Sequence, residues 1–211
     1  MKIKNGSRSG TAFTMDNTAG NVIDSLTINE ADANAQLNGG EVTNAVTVNN
    51  GTVTNAGATV GSVAVVQVDA GDPAIYNQSG GAVSGQLAVS DGNANISGGT
   101  GDYLANRGDG ATDLTGGEIE EASTISGVTL DITDGQLSDG LEISGGTVTV
   151  NEDASDDTAR EITGTTTITA GQLQVLDGET GGVTINGGAN GTDELIVGTA
   201  SGEVGTVNSL P

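Results

Sequence analysis

Carboxylate oxygen is the reactive group this chain carries in quantity. It has 28 Asp and Glu against 5 Lys and Arg, and no His or Cys. The densest cluster is Glu152-Asp153-Ala154-Ser155-Asp156-Asp157, followed by Arg160. Closely spaced carboxylates suit a hard cation such as calcium, which takes six to eight oxygen ligands. Glu152, Asp153, Asp156 and Asp157 are therefore candidate metal ligands, and the plain alternative is a solvated loop between two strands. Glu118, Glu120 and Glu121 form a second patch, read as an exposed strand face.

The missing residue types exclude more than the present ones suggest. Without His or Cys there is no thiolate chemistry, no disulfide, no imidazole acid–base pair and no ordinary zinc site. Paired carboxylates could serve a glycosidase. A polysaccharide site would also want basic and aromatic residues, and mid-chain only Arg107, Arg160, Tyr76 and Tyr103 are available. No catalytic residue and no organic cofactor is expected. A net charge of −23 disfavours nucleic acid and anionic lipid, because phosphate must be neutralised by Lys and Arg. The longest apolar run, Val63-Ala64-Val65-Val66, is far too short to span a bilayer, so no membrane insertion is expected. Lys2 and Lys4 are followed by no apolar stretch of the kind a Sec signal carries. Three of the five basic residues, Lys2, Lys4 and Arg8, make an N-terminal arm. That arm could dock on an acidic neighbour, another copy included, or simply be solvated.

The elements that must position these groups are short strands. Glu41-Val42-Thr43-Asn44-Ala45 returns as Thr52-Val53-Thr54-Asn55-Ala56, each copy preceded by a glycine, Gly40 and Gly51. Glycine-led units recur at Gly81, Gly117, Gly135, Gly146, Gly171 and Gly202, at irregular intervals. Alternating β-branched runs bounded by Gly, Asn or Asp read as strands, and 36 glycines tell against helix. With two Tyr, one Phe and no Trp, the interior must be thin and aliphatic. The fold expected is all-β: a single-chain parallel β-solenoid (a right-handed β-helix) with coils of roughly 20–30 residues. The alternative is a β-sandwich or jelly roll. Residues 1–20 read as an N-terminal cap and arm in which Phe13 and Met15 cover an open end. Residues 21–211 read as the solenoid, with loop insertions near 100–113 and 151–160. Stacked Asn residues are expected to bond from coil to coil.

Residues 39–60 and 145–150, with their Gly-Gly-x-small, Thr/Val strand and Asn-Gly pattern, resemble the glycine-rich passenger repeats of self-associating autotransporter adhesins. That resemblance implies a right-handed β-helix engaged in surface association. Gly188-Ala189-Asn190-Gly191-Thr192-Asp193-Glu194-Leu195-Ile196 resembles one calcium-binding RTX nonapeptide. It implies calcium bound between coils, with Asp193 as ligand and Asn190 in the turn before it. Thr-x-Thr stretches such as Thr52-Val53-Thr54 and Thr147-Val148-Thr149 raise an ice-binding array, though their spacing along the chain is irregular.

The expected function is non-catalytic: a rigid acidic block that assembles with copies of itself on an exterior surface. The cell surface, as a layer, filament or adhesin without a cleaved Sec signal, is the first placement. A virion exterior protein, a head-decoration or fibre subunit, is the alternative. Expected partners are other copies of the chain, or a surface or capsid protein met through the basic arm.

Overall fold

A computed structural model describes residues 12–16, 21–151, 161–186, 193–198 and 202–210. The chain is an all-β parallel solenoid. Among the described residues every strand pairing is parallel, and the strands stack in three ladders that run along the molecule. In the first ladder Phe13 lies under Ala35, followed by Val53, Tyr76, Ala94, Thr112, Leu130, Val148, Leu173 and Leu195. The second ladder has shorter strands and runs from Ile23 through Val42, Val60, Val83, Gly101, Ile119, Leu137, Ile162 and Thr180 to Val204. The third runs from Ile28 through Val48, Val65, Val89, Asn106, Ile125, Ile143, Ile168 and Ile185 to Ser209. Nine steps of about 4.8 Å give a stack about 43 Å high.

The basic coil is shorter than the glycine spacings suggest. Ala94, Thr112, Leu130 and Val148 lie directly over one another, 18 positions apart at each step. Each coil points about five side chains inward: two from the first face, one from the second, two from the third. In one coil these are Leu130, Ile132, Leu137, Leu141 and Ile143, all between 0 and 2% exposed. That alternation is the ordinary two-residue period of a strand, broken at two corners. Five aliphatic side chains fill a cross-section this narrow, which is why so few aromatic residues suffice.

The eleven-residue repeat is a different object from a coil. Glu41 and Val42 sit on the second face, while Thr52 and Val53 sit on the first face of the next coil. The glycine-led units belong to two separate corners, and reading them as one series gives the irregular intervals. Within one corner the spacing is regular: Gly81, Gly99 and Gly117, each at positive φ (72°, 80° and 82°). A Cβ on Gly117 would meet the Gly99 carbonyl oxygen at 2.7 Å, and one on Gly99 would meet that of Gly81 at 2.5 Å. The column therefore needs glycine twice over, for left-handed backbone and for close approach of the coil beneath.

The strands also place the segments read from the sequence. Residues near 100–113 are not an insertion: they lie in the strands Asn93–Arg107 and Ala111–Ile119, joined by a short turn. The extra residues sit instead after the strand Thr59–Val66, where 67–73 bulge outward and Val68 is 63% exposed. Asn50, only 2% exposed, holds this bulge by donating to Asp69 Oδ2 at 2.9 Å. Phe13 and Met15 form a strand of the first ladder, Phe13–Met15, and pack on the core, so ladder pairing is already present before residue 21. The remainder of the 1–20 segment, apart from 12 and 16, lies outside the described residues, as does 152–160. The Asn ladders are present: Asn49 Nδ2 donates to Asn29 Oδ1 at 2.6 Å, and Asn95 Nδ2 to Asn77 Oδ1 at 2.8 Å.

Gly99→Ala and Gly71→Ala separate the two demands on glycine. Gly71 also has positive φ (105°), yet nothing lies within 4 Å of its missing Cβ. Gly71→Ala is expected to cost only the left-handed penalty of about 1–2 kcal/mol. Gly99→Ala is expected to cost at least about twice that, read as the shift in urea midpoint. Equal losses would show that close approach contributes nothing.

Candidate functional site

The groups with unusual chemistry lie in three places. The first is inside the rod. Asn55, Tyr76 and Gln78 occupy inward positions and are 0–1% exposed. Asn55 Oδ1 accepts from the Ala58 backbone N–H at 2.9 Å, and its Nδ2 donates to the Ala58 carbonyl at 3.1 Å. The Tyr76 hydroxyl donates to Gln78 Oε1 at 3.1 Å, and Gln78 Nε2 donates to the Thr100 carbonyl at 2.9 Å. Burial holds the Tyr76 hydroxyl above its ordinary range, with the Asn55 hydrogen bond opposing. This chain of bonds ties one corner across successive coils. Tyr76 is thereby removed from any sugar-binding role; Tyr103 is half-buried, its hydroxyl 2.8 Å from Thr124 Oγ1. Arg107 is exposed at a coil end.

The second place is the outer side of the first face, where the parallel register sets Asp113 beside Asp131. Together with Thr115, Thr133, Thr149 and Asn151 they line a shallow groove of about 400 Å³. Partial loss of water, and then the negative charge of Asp131, raise the Asp113 carboxyl above the usual carboxylate range. Two carboxylates one coil apart repel unless one is protonated or a cation lies between them. Elsewhere these two outer columns are mostly uncharged: they hold Asn34 and Gln36, Thr52 and Thr54, Asn93 and Asn95, and Thr147 and Thr149 at different levels. The two Thr-x-Thr pairs thus share a face, but the coils between them carry Ile75, Asn77, Asn93, Asn95, Asp113 and Asp131 at the same positions, so no continuous threonine array forms.

The third place is Glu161, on the second face and only 3% exposed. Its Oε2 accepts from the Glu179 backbone N–H at 2.6 Å. Burial raises its carboxyl above the ordinary range. Hydrogen bonds from its own and the Glu179 backbone N–H oppose that shift, and the charges of Glu179 and Asp134 add to it. A carboxylate buried beside other carboxylates is costly, so this site favours the protonated acid.

Of the calcium candidates only Asp193 lies among the described residues. Glu152, Asp153, Asp156, Asp157 and Asn190 lie outside the described residues. Asp193 is described and stands immediately before the strand Glu194–Val197 of the last coil. Among the described residues no three His, Cys, Asp or Glu side chains come close enough to hold a metal ion. Glu118 is partly shielded and accepts from the Ser138 hydroxyl, while Glu120 and Glu121 are exposed. Sequence reading missed Glu161, the Asp113–Asp131 pair and the interior amides. The 18-residue interval from Asp113 to Asp131 was the signal that would have found the pair; Glu161 offered none, because its burial depends on how the coil closes. Comparison with protein-family models, with curated proteins and with solved structures gives no match.

Both raised carboxyls make the fold more stable in mild acid. A raised folded pKa contributes stability that is complete below the unfolded value and lost as pH rises through the folded value. For Glu161 the unfolded reference is 4.5. Glu161→Gln is expected to raise Tm at pH 7, with the gain vanishing as pH falls below about 4.5. A thermal melt series from pH 4 to 8 measures this; a Tm gain that stays constant across the series would contradict it.

Proposed function

We propose that the chain is a non-catalytic structural block that assembles with copies of itself on an exterior surface, the cell surface foremost, as a layer, filament or adhesin. One observation carries this reading: three ladders hold register from the first coil to the last around a filled aliphatic interior. Main-chain bonds that all run along one axis, between coils without slack, make a stiff object. The groups with perturbed chemistry support the same view. The buried hydroxyl and amides bond coil to coil, Glu161 is walled in, and Asp113 sits in a shallow groove.

The charge of −23 sets the condition for assembly. Copies of one sign approach only when salt or a divalent ion screens them. Calcium is the ion we put forward, with the acidic run at 152–157 and the segment 190–193 as its points of contact. Calcium is expected to raise Tm and to shift sedimentation toward larger species, and chelator to reverse both. Identical melting and sedimentation with calcium and with chelator would remove calcium from the proposal. Electron microscopy of the purified protein tests the larger reading. Rods joined into filaments or sheets are expected at physiological salt, and isolated rods at every salt and calcium concentration would defeat it.

A further inference from the structure

The two ends of the rod differ. In the first coil the inward residues Met15, Ile23, Leu26 and Ile28 are only 4–6% exposed. In the last coil Leu195 and Val204 are partly buried against the core, but two other inward positions are open. Val197 continues the column of buried Val175, and Val207 that of buried Val183, yet they are 45% and 48% exposed. These are core columns with no further strand over them among the described residues. The last three strands, Glu194–Val197, Glu203–Val204 and Val207–Leu210, each pair on one side only among the described residues. Among the described residues this outer edge has no strand partner and lies beside apolar side chains, which is a template for one more strand.

We propose that this open coil is the docking surface for the N-terminal segment of a second copy, so that copies join head to tail. Three features select that occupant. The segment Met1-Lys2-Ile3-Lys4 alternates apolar and cationic residues, the pattern of a strand with one face for a core and one for acid. Lys2, Lys4 and Arg8 are three of the five basic residues in the chain, while the last coil carries Asp193, Glu194 and Glu203. Two open ends meeting each other would instead bring those acids together in both copies, which like-charge repulsion opposes. Strand addition to an exposed sheet edge takes affinity from main-chain bonds and specificity from alternate side chains. A heterologous contact of this kind does not close on itself; it propagates into a filament. The inference rests on the self-assembly reading and supplies its contact.

The test uses the full chain and sedimentation velocity with microscopy. Val197→Lys/Val207→Lys blocks the open coil with the sign of charge that the arm carries. Lys2→Glu/Lys4→Glu/Arg8→Glu reverses the arm. Each variant alone is expected to stay a single rod at concentrations where the unaltered chain forms filaments. Mixed one to one, they are expected to give a discrete dimer and nothing longer, because each retains one working end. Should the lysines unfold the last coil, Val197→Thr/Val207→Thr keeps shape and is expected to shorten filaments without abolishing them. Filaments that persist in both variants would overturn the end-on contact and leave self-assembly standing. Dimers formed by the arm-reversed variant alone would overturn it in favour of tail-to-tail pairing. An unaltered chain that never associates would remove both proposals together.

Discussion

The spacing between coils governs this molecule. Main-chain hydrogen bonds fix it near 4.8 Å, and every corner, side chain and charge must fit that interval. Strand residues meet the requirement easily, since their side chains stand perpendicular to the stacking axis. Corners do not, because there the backbone turns and a Cβ can point into the coil below. At Gly99 that Cβ would lie 2.5 Å from a carbonyl oxygen, well inside contact distance. The glycine content that looks in composition like a mark of disorder is, in the fold, what lets the interval be kept.

The same interval organises the polar groups. Stacking in register places like beside like, so whatever occupies one coil is repeated a few ångströms away. For amides this is favourable, because each Asn can donate to the next, as Asn49 does to Asn29. For carboxylates it is unfavourable, and Asp113 beside Asp131 shows the result in a raised proton affinity. The uncharged outer positions around Asn77 and Asn95 relieve that repulsion over part of the first face. Inside the rod the amides of Asn55 and Gln78 are tolerated because their hydrogen bonds end on backbone groups at a corner.

Much of this was legible beforehand. Alternation, β-branched residues, corner glycines and the scarcity of aromatics together specify a thin parallel coil, because each follows from local geometry. The coil length was hidden by the clearest repeat in the chain. Glu41-Val42-Thr43-Asn44-Ala45 and Thr52-Val53-Thr54-Asn55-Ala56 lie on different faces, and the similarity reflects shared strand chemistry. Columns 18 residues apart vary at each level: Gly81, Gly99 and Gly117 keep one residue, whereas Ala94, Thr112, Leu130 and Val148 do not. Placing the bulge at 67–73 needed the ladder itself, since that polar stretch differs little in composition from a tight turn such as the one at 108–110. Glu161 was invisible for a related reason, as nothing in its neighbours along the chain tells of its burial.

The bulge at 67–73 carries one more implication. It adds residues between two strands, and the ladders on either side keep their partners: Val53 still meets Tyr76, and Val65 still meets Val89. Length can thus be gained at a corner without cost to the axis. Whole turns are equally self-contained, each touching only the one before and the one after. Duplicating or excising a unit such as 94–111 would lengthen or shorten the molecule by one fixed increment. A gene under selection for reach, rather than for chemistry, could use that as a molecular ruler.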